Sequence, residues 1–555
     1  MIHGKVRIAA LFVAALAVVG IAAAQTVNVQ ATGSSGVFLS IGQATFNDVA
    51  GGAGSAHIWT AKGNSKCTGT NNCSAIHDSR SASIPDSQAS VWVIWDSTAS
   101  NVWTYTQVDT IVGNRAYFAT PRASLVLDSC ATTGACPGQQ LIPAAVIGGR
   151  LDDASIPVAV YNKINNGQFT ALFTELRPED AAQAQTRIVS ALTPSLSGLG
   201  YGTGPKTLVG TVMESAYDSA TANPTAFAIK GKDPFTKQTV PAYSIQNLGA
   251  YPIVFVANRS NTSGLGLKSS GNFVYTDLND QHNVKAALSY RLQRLFNGDC
   301  EANLINPNFP TFPVTLVLRE PLSGTYTTTE YTEVRNKSNA QKSTEGGVGQ
   351  PTLGTSANPL NKPCTAGGGT KIRGIGTGEV LKGNGKGVGG VLNTTDSIAY
   401  FFWSFANGAP FAGNPSGYGY FTLDGVDPLQ TTYVDGTIPS CTAPCPIGPN
   451  TSFPHLRDGT YRSFTIVRVV GTAGDTNLQT LVNDAQCDVN KIEPDFVPWT
   501  QASCSGADTG LGHYRSHFLA DGIKGSNVPE AGGDVGGCVF ADPPDNNSDH
   551  LNCRQ

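Results

Sequence analysis

The chain has 555 residues, a formal net charge of −4 at pH 7 and only 14% charged residues, together with 62 glycines. This composition lacks the clustered Lys and Arg that non-specific nucleic-acid binding requires, so that class of function is excluded. The length allows about two to four domains, and a hydrophobic content of 40% is sufficient for buried cores.

The N-terminus has the pattern of a cleaved signal peptide at residues 1–24. Lys5 and Arg7 precede an apolar run at 9–21, and three alanines at 22–24 stand before Gln25. The run is too short to span a bilayer, and no cysteine near the cut could carry a lipid anchor. We therefore expect a periplasmic or secreted protein without stable membrane insertion. Loss of the two positive charges moves the formal charge from −4 to −6.

Strand-like and helix-like segments alternate along the rest of the chain. Short, β-branched, apolar runs predict strands at 91–95, 116–119, 251–256, 314–318 and 464–470. Helical patterns lie at 157–165, 178–192, 284–296 and 477–484. This alternation predicts an α/β fold with mixed, mostly parallel sheets flanked by helices. Glycine-rich stretches at 338–370 and 408–449 are interpreted as surface insertions, and 501–555 as a disulfide-pinned C-terminal extension.

Twelve cysteines, an even number in an exported chain, predict disulfide bonds. The plausible pairs are Cys67/Cys73, Cys130/Cys136, Cys300/Cys364, Cys441/Cys445, Cys487/Cys504 and Cys538/Cys553, although the sequence does not fix the connectivity. Neither paired CxxC motifs nor His/Cys clusters at zinc-ligand spacing occur. His513 and His517 are four residues apart, but a surface loop explains them better than a metal site. No metal or cofactor is expected.

The segment 314–330 carries the clearest chemistry. A strand ends near Arg319, and Ser323, Gly324 and Thr325 open a predicted helix, at the sheet edge where α/β proteins bind ligands. The guanidinium can offer two donors to one anion. The hydroxyls and the free amides of a helix start add further donors for a tetrahedral anion. The alternative is an ordinary Ser N-cap, with Arg319 paired to Glu320.

The spacing of Arg319, three residues and then Ser-Gly-Thr resembles the phosphate-binding periplasmic proteins that feed ABC transporters. The resemblance implies that Arg319, Ser323, Gly324 and Thr325 hold phosphate. The family usually has an Asp two residues after the Arg and paired with it, whereas this chain has Pro321 there. Glu320 could replace that Asp.

Two further stretches resemble the same family in the same order. Residues 33–38 resemble its first glycine-rich loop: Phe38 matches, while Val37 replaces a Thr, so Ser34, Ser35 or backbone amides would compensate. The alternative there is a plain glycine-rich turn.

Thr174 and Glu175 take the positions of a Ser-Asp pair in the same family. An ionised carboxylate only accepts hydrogen bonds, so Glu175 would select an anion that carries a proton. The alternative is a surface pair of Glu175 with Arg177. Ser155 is a candidate for the family's helix-capping serine donor.

The resemblance implies two lobes joined by crossing strands near Val254 and Ile466. Lobe one would comprise 25–255 and 463–500, and lobe two 256–462. The expected function is capture of a small oxyanion, with phosphate first, by a monomer that delivers it to an ABC permease without catalysis. Two alternatives stay open: a surface or secreted protein that reuses this fold for adhesion or another ligand, and a phosphatase-like hydrolase. For the hydrolase, no nucleophile with a base or metal pair can be named.

Overall fold

The computed structural model describes a defined part of the chain. That part comprises residues 25–63, 76–78, 89–118, 121–176, 244–258, 287, 292, 295–304, 311–319, 323–329, 364, 369–374, 376–383, 389–404, 418–429, 432, 450–461, 463–489, 494–499, 510–511, 514–515 and 539–540. The predicted signal peptide, the predicted helix at 178–192 and His517 lie outside it.

The strands are β1 Thr26–Gly33, β2 Ala56–Lys62, β3 His77–Asp78, β4 Ser90–Asp96, β5 Asn101–Gln107, β6 Leu125–Val126, β7 Ala171–Thr174, β8 Ser244–Asn258, β9 Thr315–Arg319, β10 Thr370–Gly374, β11 Ser397–Phe402, β12 Tyr418–Tyr420, β13 Phe464–Gly471, β14 Val497–Pro498, β15 Tyr514–Arg515 and β16 Val539–Phe540. Twelve of them form one sheet in the order β10-β9-β11-β8-β13-β7-β1-β5-β4-β2, with β12 and β14 also paired to β8. The pairs β3–β6 and β15–β16 form two small separate sheets.

The large sheet is mixed, with a set of parallel strands on each side of β8. Strand β1 runs parallel to β5 and β7, and β9 runs parallel to β10 and β11. We call β2, β4, β5, β1, β7 and β13 the first strand group, and β9, β10, β11 and β12 the second. The parallel strands β7, β9 and β11 are mainly apolar and buried on both faces, as the predicted α/β class requires; that class is confirmed.

Strand β8 belongs to both groups. Its first part, Ser244 to Pro252, pairs with β13, and its last part, from Ile253 onward, pairs with β11. A buried apolar cluster runs through both groups and includes Val29, Leu316 and Tyr400. The two groups are therefore joined by a hydrogen-bonded strand and by shared apolar packing.

The helices are α1 Phe38–Ala44, α2 Thr110–Phe118, α3 Val158–Ile164, α4 Gly324–Thr329, α5 Thr377–Lys382, α6 Gly390–Asn393, α7 Pro454–Arg457 and α8 Thr476–Asp488. The helices predicted at 157–165 and 477–484 are confirmed as α3 and α8. Within the described residues, no helix has the length and apolar character needed to cross a membrane.

One secondary-structure prediction was wrong. The segment predicted as a strand at 116–119 is the last turn of helix α2, which begins at Thr110. Four apolar or aromatic residues in a row fit a buried strand and a buried helix end equally well. Ile111 and Val112 place the preceding turn in the core beside Ala116, so the whole segment packs as a helix.

Disulfide bonds join Cys130 to Cys136 and Cys300 to Cys364, which confirms two of the predicted pairs. Cys487 is also disulfide-bonded, and its predicted partner at position 504 lies outside the described residues. The other predicted pairs lie there as well. The division into lobes stays a prediction.

Candidate functional site

The carboxyl ends of four strands from both groups meet at one place. Strand β1 leads into Ser34, β5 into Asp109 and Thr110, β7 into Glu175, and β9 ends at Arg319. The carboxyl edge is where parallel α/β sheets present loops and helix starts to ligands. The contacts described below join these side chains across the two strand groups.

Glu175 is the buried centre of this cluster, with 2% exposure. Its Oε1 accepts a hydrogen bond from the Ser34 hydroxyl and its Oε2 accepts one from the Thr110 hydroxyl. Its main-chain oxygen accepts from Thr465 Oγ1 at 2.9 Å, which ties it to β13. Burial raises the pKa of Glu175 to about 7, against the lowering effect of Ser34 and Arg319.

Gly324, the first residue of helix α4 after β9 of the second group, lies directly against Glu175, which follows β7 of the first group. A methyl group added to Gly324 would come within 2.6 Å of both Glu175 Oε2 and Thr110 Oγ1. Only a residue without a side chain permits this approach. The segment 319–325 was predicted to lie beside Glu175 and the turn at Ser34. In the structure Gly324 contacts Glu175, which in turn accepts a hydrogen bond from Ser34.

Arg319 is held at both ends of its guanidinium and is only 1% exposed. Its Nη2 donates to Asp109 Oδ1 at 2.6 Å, and its Nη1 donates to Thr377 Oγ1 at 2.9 Å. One carboxylate partner of Arg319 thus follows β5 of the first strand group. Glu320, the partner suggested by the sequence, lies outside the described residues.

Ser323 and Thr325 are both buried beside Gly324. The Ser323 hydroxyl accepts from the Tyr326 amide at 3.4 Å, the arrangement of a serine that caps a helix start. Ser323 therefore caps helix α4, as the alternative interpretation of this serine predicted. Its position next to Gly324 also keeps it within the cluster.

The turn after β1 presents Ser34 to Glu175. Gly36 N donates to Ser34 Oγ at 3.1 Å, and Tyr105 Oη donates to the Ser34 carbonyl at 2.5 Å. Of the two serines considered for this turn, Ser35 is only partly buried. The hydroxyl at the carboxylate is that of the other, Ser34.

The other two predicted residues of this turn open helix α1. Val37 is fully buried, and Phe38 accepts a hydrogen bond from Trp92 Nε1 at 3.1 Å through its carbonyl. These contacts fix the backbone of the turn. A contact of either residue with a ligand stays a prediction.

Thr174 and Ser155 have surroundings that the sequence did not indicate. The Thr174 hydroxyl accepts from Asn114 Nδ2 at 2.9 Å and donates to the Leu176 carbonyl at 2.8 Å, so it fastens α2 to the end of β7. Ser155 is partly exposed and precedes α3. Within the part of the chain that the structure describes, no hydrogen bond joins Ser155 to Glu175.

Three residues of the cluster escaped the sequence analysis: Asp109, Thr110 and Thr377. Asp109 and Thr110 follow the apolar strand β5 and start helix α2, a pattern of the same kind as the one that singled out Arg319 and Ser323. The signal was missed because α2 was partly interpreted as a strand. Thr377 starts α5 after β10 in the same manner.

The charges in the cluster nearly cancel. Arg319 contributes one positive charge and Asp109 one negative charge, while Glu175 titrates near neutral pH. Tyr105 and Tyr251 interact with Glu175, and burial raises the pKa of both phenols well above their usual range. Among the described residues, no three His, Cys, Asp or Glu side chains group closely enough to hold a metal ion.

Comparison with known proteins gives only weak likenesses. No protein-family model matches the chain, and no curated protein matches it. Similar solved structures include a possible phosphate-binding protein from Planctomyces limnophilus, with 10% identity, a TM-score of 0.28, and coverage of 84% of this chain and 93% of that one.

Two other similar structures are also described as phosphate-binding or phosphate-transport proteins. A phosphate-binding protein from Stenotrophomonas maltophilia has 10% identity and a TM-score of 0.29, with 68% and 76% of the two chains covered. An ABC-type phosphate transport receptor from Vibrio cholerae has 10% identity and a TM-score of 0.23, with 46% and 71% covered. TM-scores this low establish neither the fold nor the ligand of this chain; the fold given above rests on its strand pairing.

Proposed function

We propose that this protein is an extracytoplasmic binding protein that captures a small tetrahedral oxyanion, with inorganic phosphate the first candidate. The observation that carries the proposal is the meeting of Arg319 and Gly324 from the second strand group with Ser34, Thr110 and Glu175 from the first. Groups from both sides converge on one buried place, as a ligand held between two lobes requires.

The residue types suit an oxyanion. Arg319 supplies the positive charge, and the Thr377 hydroxyl accepts from Arg319 and so keeps its own proton for an anion. The hydroxyls of Ser34 and Thr110 donate to Glu175 and would have to turn from it to donate to a bound anion. Removing an anion from water is costly, and fixed hydrogen-bond donors offset that cost. Glu175 supplies an acceptor, which suits an anion that carries a proton.

Binding, without catalysis, is the proposed role, and it fits the exported, disulfide-bonded chain predicted from the sequence. We propose the predicted lobes, 25–255 with 463–500 and 256–462, as the two sides of the cleft. Closing would then bend the chain near β8 and β13, in the manner of hinged binding proteins. Delivery of the anion to an ABC permease by a monomer is part of the same proposal.

Titration calorimetry with phosphate and with sulfate tests the proposal. We expect heat with phosphate, and a loss of affinity of at least about 100-fold in Arg319→Ala, because a charged hydrogen-bond donor contributes about 3 kcal/mol. Arg150→Ala is the matched control, since Arg150 pairs with Asp153, both are partly exposed, and the described residues show no contact between this pair and the cluster. No heat with phosphate, or equal affinity in Arg319→Ala and the wild type, would contradict the proposal.

A further inference from the structure

The turn after strand β1 rests on an aromatic pair from strands β4 and β5. Trp92 of β4 and Tyr105 of β5 lie directly opposite each other in the sheet, and their rings stack with centroids 5.9 Å apart. Tyr105 Oη donates to the Ser34 carbonyl at 2.5 Å, and Trp92 Nε1 donates to the Phe38 carbonyl at 3.1 Å. The pair therefore holds both ends of the turn at 34–38.

We infer that Tyr105 is a positioning residue for ligand binding. Its hydroxyl keeps the main chain of Ser34 in place while the Ser34 hydroxyl turns from Glu175 to a bound anion. The inference rests on the proposed function, and it assigns a role in binding to a residue that acts through Ser34 and not by contact with the ligand.

The main chain of Ser34 is held from two sides. Its amide donates to the Phe173 carbonyl of β7 at 2.9 Å, and its carbonyl accepts from Tyr105 Oη. Because peptide groups are planar, these two bonds fix the chain on either side of the Ser34 Cα atom. The freedom that Ser34 keeps is rotation of its side chain between staggered rotamers. The hydroxyl is therefore the part of this residue that can change its partner.

The Ser34 hydroxyl has one proton to give. It accepts from the Gly36 amide at 3.1 Å and donates to Glu175 Oε1. A hydroxyl is a single donor, so it can serve either Glu175 or an anion at one time. Binding costs less when few groups must be ordered, so a turn that is already fixed limits the cost to one side-chain rotation.

Tyr105 is itself held firmly enough to fix the turn. Its side chain is fully buried, and its ring centroid lies 6.3 Å from that of Phe38 and 5.5 Å from that of Phe173, which it meets edge to face. Burial raises the pKa of Tyr105 well above its usual range, so the phenol keeps its proton at ordinary pH and remains a donor.

Titration calorimetry of Tyr105→Phe with phosphate tests the inference, because this change removes the hydroxyl and keeps the ring. We expect the phosphate affinity to fall about tenfold, which corresponds to the loss of one hydrogen bond. Tyr161→Phe is the matched control. The Tyr161 phenol also donates to a main-chain carbonyl, that of Leu127 at 2.9 Å, and no hydrogen bond of the described residues joins it to the cluster. Its affinity should equal that of the wild type.

A double-mutant cycle on phosphate affinity separates positioning from general support of the fold. Ser34→Ala removes the hydroxyl that Tyr105 is inferred to position. In that background Tyr105→Phe should weaken phosphate binding by about threefold or less, because little is left for the phenol to position. A general support of the fold would weaken binding by the same factor in both backgrounds, and that result would contradict action through Ser34.

The indole N–H groups give a second measurement that leaves Tyr105 unchanged. Trp92 Nε1 donates to the Phe38 carbonyl and Trp59 Nε1 donates to the Cys136 carbonyl, both at 3.1 Å. In an NMR titration of the wild type with phosphate, the indole signal that Trp92→Phe removes should shift, because its acceptor belongs to the turn. The signal that Trp59→Phe removes should stay in place.

The outcomes distinguish the inference from the proposed function. If the wild type binds phosphate, equal affinity in Tyr105→Phe, or a Trp92 signal that does not move at saturating phosphate, would overturn the inference alone. A wild type that binds no phosphate would overturn the proposed function and this inference with it. If Tyr105→Phe does not fold, the Trp92 signal decides.

Discussion

Asp109 and Arg319, which are 210 positions apart in the sequence, form a buried ion pair of 2.6 Å that joins the two strand groups. Arg319 is 1% exposed and the Asp109 side chain 11%, so water screens the pair little. Removing one member of a buried ion pair is costly, because the charge that remains loses a compensating partner. The pair therefore links the stability of the protein to the packing of one strand group against the other.

The first prediction concerns that pair. Asp109→Ala should lower the free energy of unfolding by about 3–5 kcal/mol, because it removes a carboxylate that pairs with the buried Arg319 guanidinium. Adding Arg319→Leu should recover part of the loss, since the buried positive charge is then removed as well. Denaturant titration of both single variants and the double variant measures the coupling. Additive losses would contradict the pairing.

The second prediction concerns pH. Burial raises the pKa of Glu175 to about 7, so the folded protein binds a proton there that the unfolded chain releases near pH 4.5. In that window the folded state holds more protons, and stability must fall as pH rises from about 4.5 to about 7. The expected loss is on the order of 3 kcal/mol.

Glu175→Gln, which cannot ionise, should remove this pH-dependent component. Denaturant titrations at pH 5 and pH 8 on the wild type and the variant check it. An equal fall in stability between the two pH values in both proteins would contradict the assignment to Glu175.

The third prediction uses a pair of glycines. Gly324→Ala places a methyl 2.6 Å from Glu175 Oε2 and Thr110 Oγ1, so the two strand groups must separate locally. We expect phosphate affinity to fall about tenfold or more, since overpacking costs about 1–3 kcal/mol. In Gly378→Ala the added methyl has no atom within 4 Å, which makes it the matched control. Equal affinities in the two variants would show that this contact is not part of the binding site.

The fourth prediction compares two disulfides. The Cys300–Cys364 bond closes a loop of 64 residues and the Cys130–Cys136 bond a loop of 6. Chain-entropy arguments assign about 4 kcal/mol to the former and about 2 kcal/mol to the latter. Replacing each pair by serines and measuring the thermal midpoint should give the larger drop for the 300–364 pair. The reverse order would show that local packing around Cys130 outweighs loop entropy.

The fold and half of the site were accessible from the sequence, for physical reasons that differ by residue. Strands that are buried on both faces are mainly apolar runs, so β4, β9 and β13 were visible without the structure. Arg319 and Gly324 were visible because the predicted motif lies within one short segment, 319–325, that begins at the end of strand β9.

Contacts between distant segments were not accessible. Glu320 was considered as a partner of Arg319 and lies outside the described residues, whereas Asp109, which reaches the guanidinium through the packing of the two strand groups, was not indicated by the sequence. Thr110 contacts the Glu175 carboxylate, while the hydroxyl of the predicted Thr174 is used by Asn114 and the Leu176 carbonyl. Adjacency in the chain indicates which residues share a turn, and tertiary packing decides which of them touch.

Strand β8 has a mechanical consequence. Strand β8 is hydrogen-bonded to β13 along its first part and to β11 along its last. At β8 the two groups are therefore joined by one continuous strand and not by a flexible loop. Any rotation of one group against the other must bend this strand near Pro252, where its partner changes. Strand β8 therefore resists rotation of one group against the other. A small rotation only bends the strand, whereas a large one must break hydrogen bonds between β8 and its neighbouring strands.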